Sequence, residues 1–104
     1  MKQISQSELE QLQSKGKKVL VQYTASWCGP CKALAPKLMN ISQFYGNVEF
    51  VKVDVQENME LAQSLEIRSV PTVVLYSGNN ITSRSTGIQP DDFYKSALND
   101  LTNA

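Results

Sequence analysis

Val19-Leu20-Val21-Gln22-Tyr23-Thr24-Ala25-Ser26-Trp27-Cys28-Gly29-Pro30-Cys31-Lys32 is the stretch on which the fold turns. Residues 19–24 form a nearly continuous β-favouring run, the pattern of a strand buried on both faces in a parallel or mixed sheet, and Gln22 interrupts it. From Cys28 onward the period changes. Ala33, Leu34, Ala35, Leu38, Met39, Ile41 and Phe44 recur at roughly helical spacing until Tyr45 and Gly46. Pro36 inside this helix removes one hydrogen bond, and since the apolar pattern continues past it, a kink is expected rather than a break.

On the N-terminal side, Ser5 and Ser7 each precede a Glu by three residues, the capping-box spacing, and a first helix is predicted over Ser7 to Lys15 with Gly16 as its stop. Val48 to Val55 alternates as a strand, Met59 to Leu65 reads as a short helix, and Thr72 to Tyr76 as another buried strand. Ser77-Gly78-Asn79-Asn80 is turn chemistry, and Ile81 to Thr86 is its antiparallel partner. Pro90 is placed at the first position of a last helix, with Asp91 and Asp92 in the first turn and Phe93, Ala97, Leu98 and Leu101 as the buried stripe. A short strand at Lys2 to Ile4 would complete the set. The expected architecture is α/β: one domain over residues 1–104, with a mixed sheet of four to five strands flanked by four helices on both faces.

Composition narrows the chemistry. The chain has 104 residues and 41% hydrophobic content, enough to bury a core, and no repeat or low-complexity segment. It has no histidine, which excludes Ser-His-Asp and Cys-His nucleophile pairs, HExxH zinc sites and two-His iron sites. Ten Lys plus Arg balance ten Asp plus Glu without a concentrated basic patch, so neither nucleic acid nor an anionic membrane is an expected partner. The first residues lack the apolar core of a secretory signal, and no apolar run approaches the roughly 18 residues of a membrane span. A cytoplasmic protein is expected.

Two cysteines are too few for a disulfide framework, and in a reducing compartment a pair this close belongs to redox or metal chemistry. A strand that hands over to a helix at Cys28 sets that thiol at a helix N-terminus. There free N–H groups and the dipole stabilise a thiolate and lower its pKa from about 8.5 into a range of roughly 3.5 to 7.5. Cys28 is therefore the expected nucleophile. Cys31 lies on the same helical face one turn deeper, shielded from solvent, and is the expected resolving thiol. Gly29 allows tight backbone and close approach of a partner chain; Pro30 pre-sets the helical φ and lacks an N–H that would be unpaired there. As a structural staple the pair would close so short a loop that it contributes only about 2 kcal/mol. As a metal site it offers two ligands with no His and no third Cys, so no metal is expected.

With these residues in place the chain resembles the thioredoxin family from about Lys2 to its end. WCGPCK is joined at family spacing by Pro36, Lys52, Val70-Pro71-Thr72, Gly78 and Gly87. The resemblance implies a protein-disulfide reductase that needs no bound cofactor of its own. It would be recharged by a thioredoxin reductase, a flavoenzyme drawing on NADPH, or in some lineages by a ferredoxin-linked enzyme. It also implies a cis Pro71 facing the disulfide, which sequence alone would not indicate because only about one X-Pro bond in twenty is cis. Val70 would then offer its backbone to an extended, disulfide-containing protein substrate by strand addition, with Trp27, Pro30, Val70, Gly87 and Ile88 forming a flat apolar rim.

The chain departs from the family pattern twice. Gln22 stands where a buried Asp is usual, and Thr24 where a second Trp usually precedes the active site. The role of that Asp in deprotonating the resolving thiol cannot pass to Gln22. Period-two geometry puts Lys52 and Asp54 on one face of their strand, making them the candidates for proton handling, directly or through a water. The expectation is a monomeric reductase working through a Cys28/Cys31 dithiol-disulfide cycle. A redox-independent binding subunit using the same rim is the alternative from another class, and an oxidant or isomerase is the alternative within this one.

Overall fold

The strand at residues 19–24 lies at the centre of the sheet. In the computed structural model, which describes residues 1–103, the chain runs β1 (Lys2–Gln3), α1 (Gln6–Ser14), β2 (Lys18–Thr24), α2 (Gly29–Ser42), β3 (Glu49–Asp54), α3 (Met59–Ser64), β4 (Thr72–Ser77), β5 (Asn80–Thr86) and α4 (Asp91–Asn103). The five strands lie in the order β1-β3-β2-β4-β5. β1, β3 and β2 are parallel, and β4 is antiparallel to both of its neighbours. This is the mixed α/β sheet expected, with β1 as its fifth strand.

Side-chain alternation along β2 sorts the two cores. Leu20, with Val73 and Leu75 of β4, meets Leu34, Leu38 and Ile41 of α2 and Tyr94, Leu98 and Leu101 of α4. On the opposite face Val19, Val21 and Tyr23 join Val51, Val53, Val74 and Tyr76 under Ile4 and Leu9, with Leu61 of α3 and Leu65 just after it packed alongside. Gln22 does not break the strand: it pairs in register with Lys52 on one side and Val73 on the other and is 1% exposed. On the second face the Tyr23 and Tyr76 hydroxyls lie 2.8 Å apart. Burial pushes both phenols above their ordinary range.

Three local expectations are corrected. The first helix is capped by Ser5 rather than begun at Ser7: Ser5 Oγ accepts from Glu8 N at 3.2 Å while Glu8 Oε1 accepts from Ser5 N at 3.1 Å. This register makes Ile4 and Leu9 the pair that flanks the cap, and both lie in one core, so a hydrophobic staple selects Ser5. Pro90 precedes α4 instead of opening it, and its carbonyl accepts from Phe93 N at 3.0 Å. The buried stripe of α4 starts at Tyr94, with Phe93 39% exposed and edge-on against the Tyr94 ring. Tyr94 takes the inner position because its hydroxyl has partners there, accepting from Gln89 N at 3.0 Å and donating to Gly87 O at 3.4 Å.

The cap register is testable by stability alone. Ser5→Ala should cost about 1 kcal/mol, the usual value of a lost N-cap, whereas Ser7→Ala should stay within about 0.5 kcal/mol. Urea melts of the two variants compare them, and equal losses would mean that the helix starts elsewhere.

Candidate active site

β2 ends at Thr24, and a turn in which Cys28 N donates to Ala25 O at 3.2 Å delivers the chain to α2. Cys28 is the N-cap of that helix, in extended conformation, and its Sγ accepts the Cys31 N–H at 3.2 Å. The sulfur occupies the place that a Ser or Asp oxygen takes at an ordinary cap, beside the positive end of the helix. Pro30 in the first turn has no N–H to leave unpaired. Cys28 and Cys31 are joined as a disulfide with their Cα atoms 5.3 Å apart. In this oxidised form both residues are covered, at 3% and 2% exposure, so depth alone does not separate them as the sequence suggested. They differ in what they face.

Cys28 faces the Val70–Pro71 segment and the exposed apolar rim. Its sulfur lies 3.7 Å from Val70 O, and the Val70–Pro71 bond is cis. Trp27 and Ile88 stand out beside it at 67% and 45% exposure, with Gly29 and Pro30 also at the surface. Gly87 has φ +72°, which a residue with a Cβ adopts only at a cost of about 1–2 kcal/mol, and its N–H donates to Pro71 O at 2.8 Å. That bond fixes the loop carrying Ile88 to the Val70–Pro71 segment. A groove of about 110 Å³ continues past Trp27 and Val70 to Val55, Ile67 and Arg68. No local pattern singled out the last three, because they come from the end of β3 and the loop after α3 and meet only in the folded chain.

Cys31 faces inward onto a cleft of about 600 Å³ lined by Gln22, Lys52, Asp54, Pro36 and Met39 among others. Gln22 is on the Leu20 face of β2 and therefore points at α2; its Nε2 donates to Cys31 O at 3.0 Å. Its Oε1 is buried and has no hydrogen-bond partner among the described residues. Lys52 and Asp54 reach the same cleft from β3, Lys52 half-buried and Asp54 8% exposed. Asp54 also shapes the backbone, since its Oδ1 accepts from Gln56 N at 2.8 Å and Glu57 N at 3.2 Å and so closes the turn after β3. Among the described residues no three His, Cys, Asp or Glu converge on a metal-sized site.

A redox-active cysteine pair at the head of a helix, set on a mixed sheet covered on both faces and flanked by an apolar rim, defines a thiol–disulfide oxidoreductase. The Thioredoxin family model matches residues 1–100. The chain is 40% identical over 99 residues to a thioredoxin of Mycoplasmoides gallisepticum, covering 94% of this chain and 99% of that protein. It is 38% identical over 87 residues to thioredoxin-2 of Saccharomyces cerevisiae, covering 83% and 84% of the two chains. Among solved structures, a mutant thioredoxin from Halobacterium salinarum superposes with a TM-score of 0.86 at 31% identity, over 97% of this chain and 89% of that one. The chain belongs to the thioredoxin family. It is a protein-disulfide reductase working through a Cys28/Cys31 dithiol-disulfide cycle, and the family implies disulfide-containing substrates and a reductase partner in general.

The burial of Gln22 carries a pH-dependent prediction. Gln22→Asp puts a carboxyl where desolvation raises its pKa, by as much as 3 to 5 units, above the unfolded value of about 3.9. Well below that value both states are protonated and ionisation costs nothing; above it the unfolded chain ionises first and the folded state falls behind. A rise of about 3 units costs about 4 kcal/mol at neutral pH, on top of a pH-independent loss from the missing bond to Cys31 O. Urea melts at pH 4 and pH 8 should show the larger deficit at pH 8. An equal deficit at both would mean that this site is solvated.

Proposed function

We propose that Cys28 is the attacking sulfur and Cys31 the resolving one. The Cys28 thiolate attacks a substrate disulfide, one substrate sulfur leaves and takes up a proton, and a mixed disulfide remains. Cys31 then loses its proton and displaces the second substrate sulfur from Cys28, which restores the internal disulfide and leaves the substrate with two thiols. Two electrons and two protons pass to the substrate in each turn. The observation that carries this order is the Cys31 N–H directed at Cys28 Sγ at the helix N-terminus, which stabilises charge on that sulfur and not on its partner.

Recognition is assigned to Trp27, Gly29, Pro30, Val70, Pro71, Gly87 and Ile88, with an extended substrate segment laid against Val70 by strand addition. Gly29 supports this reading. A Cβ built there meets nothing within 4 Å, so the fold does not demand glycine, and close approach of a partner chain supplies the reason for it. The proton that leaves Cys31 is assigned to the cleft, with Lys52 and Asp54 as the groups that manage it. The protein is further read as a cytoplasmic monomer carrying electrons from a thioredoxin reductase to disulfide proteins in cell redox homeostasis. Cysteine usage supports the compartment, since one close pair suits a reducing one.

Insulin reduction driven by dithiothreitol tests the activity. The parent should precipitate insulin B chain while the double variant Cys28→Ser, Cys31→Ser does not; equal rates would leave only a binding role. The order of attack is read by mass mapping of iodoacetamide adducts on the reduced protein at neutral pH. Cys28 should be labelled first, and preferential labelling of Cys31 reverses the roles. Lys52→Ala and Asp54→Ala should each slow resolution of a trapped mixed disulfide more than its formation. If both variants resolve at the parent rate, bulk water is the base.

A further inference from the structure

One side chain closes a ring of contacts around the disulfide from a position that the reaction itself does not use. Lys37 lies on α2, past Pro36, and its Nζ donates to Gln89 O at 2.6 Å and pairs with Asp91 Oδ1 at 3.2 Å. Its side chain is 29% exposed and that of Asp91 53%. An ion pair so open to water contributes little by itself, but the bond from the ammonium to the Gln89 carbonyl is charge-assisted and shielded on the protein side.

The ring can be followed residue by residue. Cys28 and Cys31 stand at the start of α2, and Lys37 extends from the same helix to residues 89 and 91. That segment is continuous with Ile88 and Gly87, and Gly87 N is bonded to Pro71 O. Val70 O then faces Cys28 Sγ at 3.7 Å, which returns the path to α2. The loop's other anchors hold it to its own half: Tyr94 Oη binds Gln89 N and Gly87 O from α4, and Gln89 Nε2 donates to Thr86 O at 2.9 Å. Among the described residues no other hydrogen bond or ion pair crosses from α2 to the 87–91 segment.

We propose that Lys37 is a positioning residue that sets the separation between the dithiol and the Val70/Ile88 lip, and so tunes affinity for extended protein substrates. The proposal rests on the assignment of that lip to substrate recognition. Without the ammonium the ring opens at one point, and α2 and the lip remain joined through the core and through the long Cys28 Sγ–Val70 O contact. The packed faces of α2 and α4 are untouched, since Leu34, Leu38, Leu98 and Leu101 do not depend on Lys37. Groove width then varies. A flexible groove must be ordered when a protein chain docks, whereas a small disulfide that touches only Cys28 does not sense it.

The test compares two substrates. Lys37→Met keeps the apolar stem and removes the charge. With insulin its KM should rise about threefold to tenfold, less than the full worth of one charge-assisted hydrogen bond because Lys37 acts on the groove and not on the substrate, while kcat stays within about twofold. With a small aromatic disulfide such as dithiobis(nitrobenzoate) the rate should equal the parent's. Lys37→Arg should restore the insulin KM to within about twofold, because it can still reach both acceptors. Asp91→Asn weakens the clamp from its other side and should shift KM in the same direction by less, which provides a second variant if Lys37→Met folds poorly. An unchanged insulin KM in Lys37→Met overturns the proposal. So does a proportional loss with both substrates, or an Arg variant that behaves like Met. A parent that fails to reduce insulin would instead overturn the reductase reading, so the two failures are distinguishable.

Discussion

β2 is hydrogen-bonded along both edges and covered on both faces, and the rest of the molecule is arranged around that constraint. Sliding it by one residue would turn Leu20 toward α1 and Tyr23 toward α2, inverting both cores at once. The strand therefore has one register, and its end at Thr24 is a fixed point in space. Four residues later the chain must begin a helix whose own inner face, Cys31, Leu34, Leu38 and Ile41, is set by packing on Leu20, Val73 and Leu75. Cys28 is held between two elements that cannot adjust, so its sulfur is placed more firmly than a loop could place it.

The same junction supplies the electrostatics. A helix that starts after a buried strand exposes orphan N–H groups, and here one of those positions is Pro30, which has none, while another N–H is directed at Cys28 Sγ. The cap is thus made by a sulfur of the disulfide itself. Charge on Cys28 Sγ would complete the helix end, whereas Cys31 lies within the first turn of the helix, past that end. The two sulfurs, chemically alike, differ through their positions along one helical turn: one receives a helix N–H and the other faces the cleft.

The elements and most of the site were legible because they are written in local pattern. The apolar run at 19–24, the switch to helical period after Cys28 and the turn at 77–80 each need only neighbouring residues. The errors share a physical cause. Ser5 and Ser7 offer the same cap spacing, and the choice depends on Ile4 reaching Leu9 across a core. Phe93 and Tyr94 are both large aromatics one residue apart, and the choice depends on two backbone groups at 87 and 89 that only the folded loop brings to the hydroxyl. Lys37 carried no signal, since a lysine on a helix is ordinarily a solvated face. Lys52 and Asp54 were placed on the correct face by period two, but the turn that Asp54 closes was visible only once Gln56 and Glu57 were seen to fold back on it.

Gln22 shows how the fold accommodates a polar group in its most constrained strand. An amide satisfies part of its hydrogen-bonding potential through Nε2 to Cys31 O and leaves Oε1 without a protein partner, and it carries no charge at any pH. A carboxyl at that site would instead tie the stability of β2 to its own ionisation. With the amide, the strand that positions the active cysteine carries no charge change on the Cys31 side. Lys52 and Asp54 stand instead on β3, at the wall of the cleft that Cys31 faces. The polar group of the central strand is thus an uncharged one bonded to α2, while the charged side chains of the cleft are carried by the neighbouring strand.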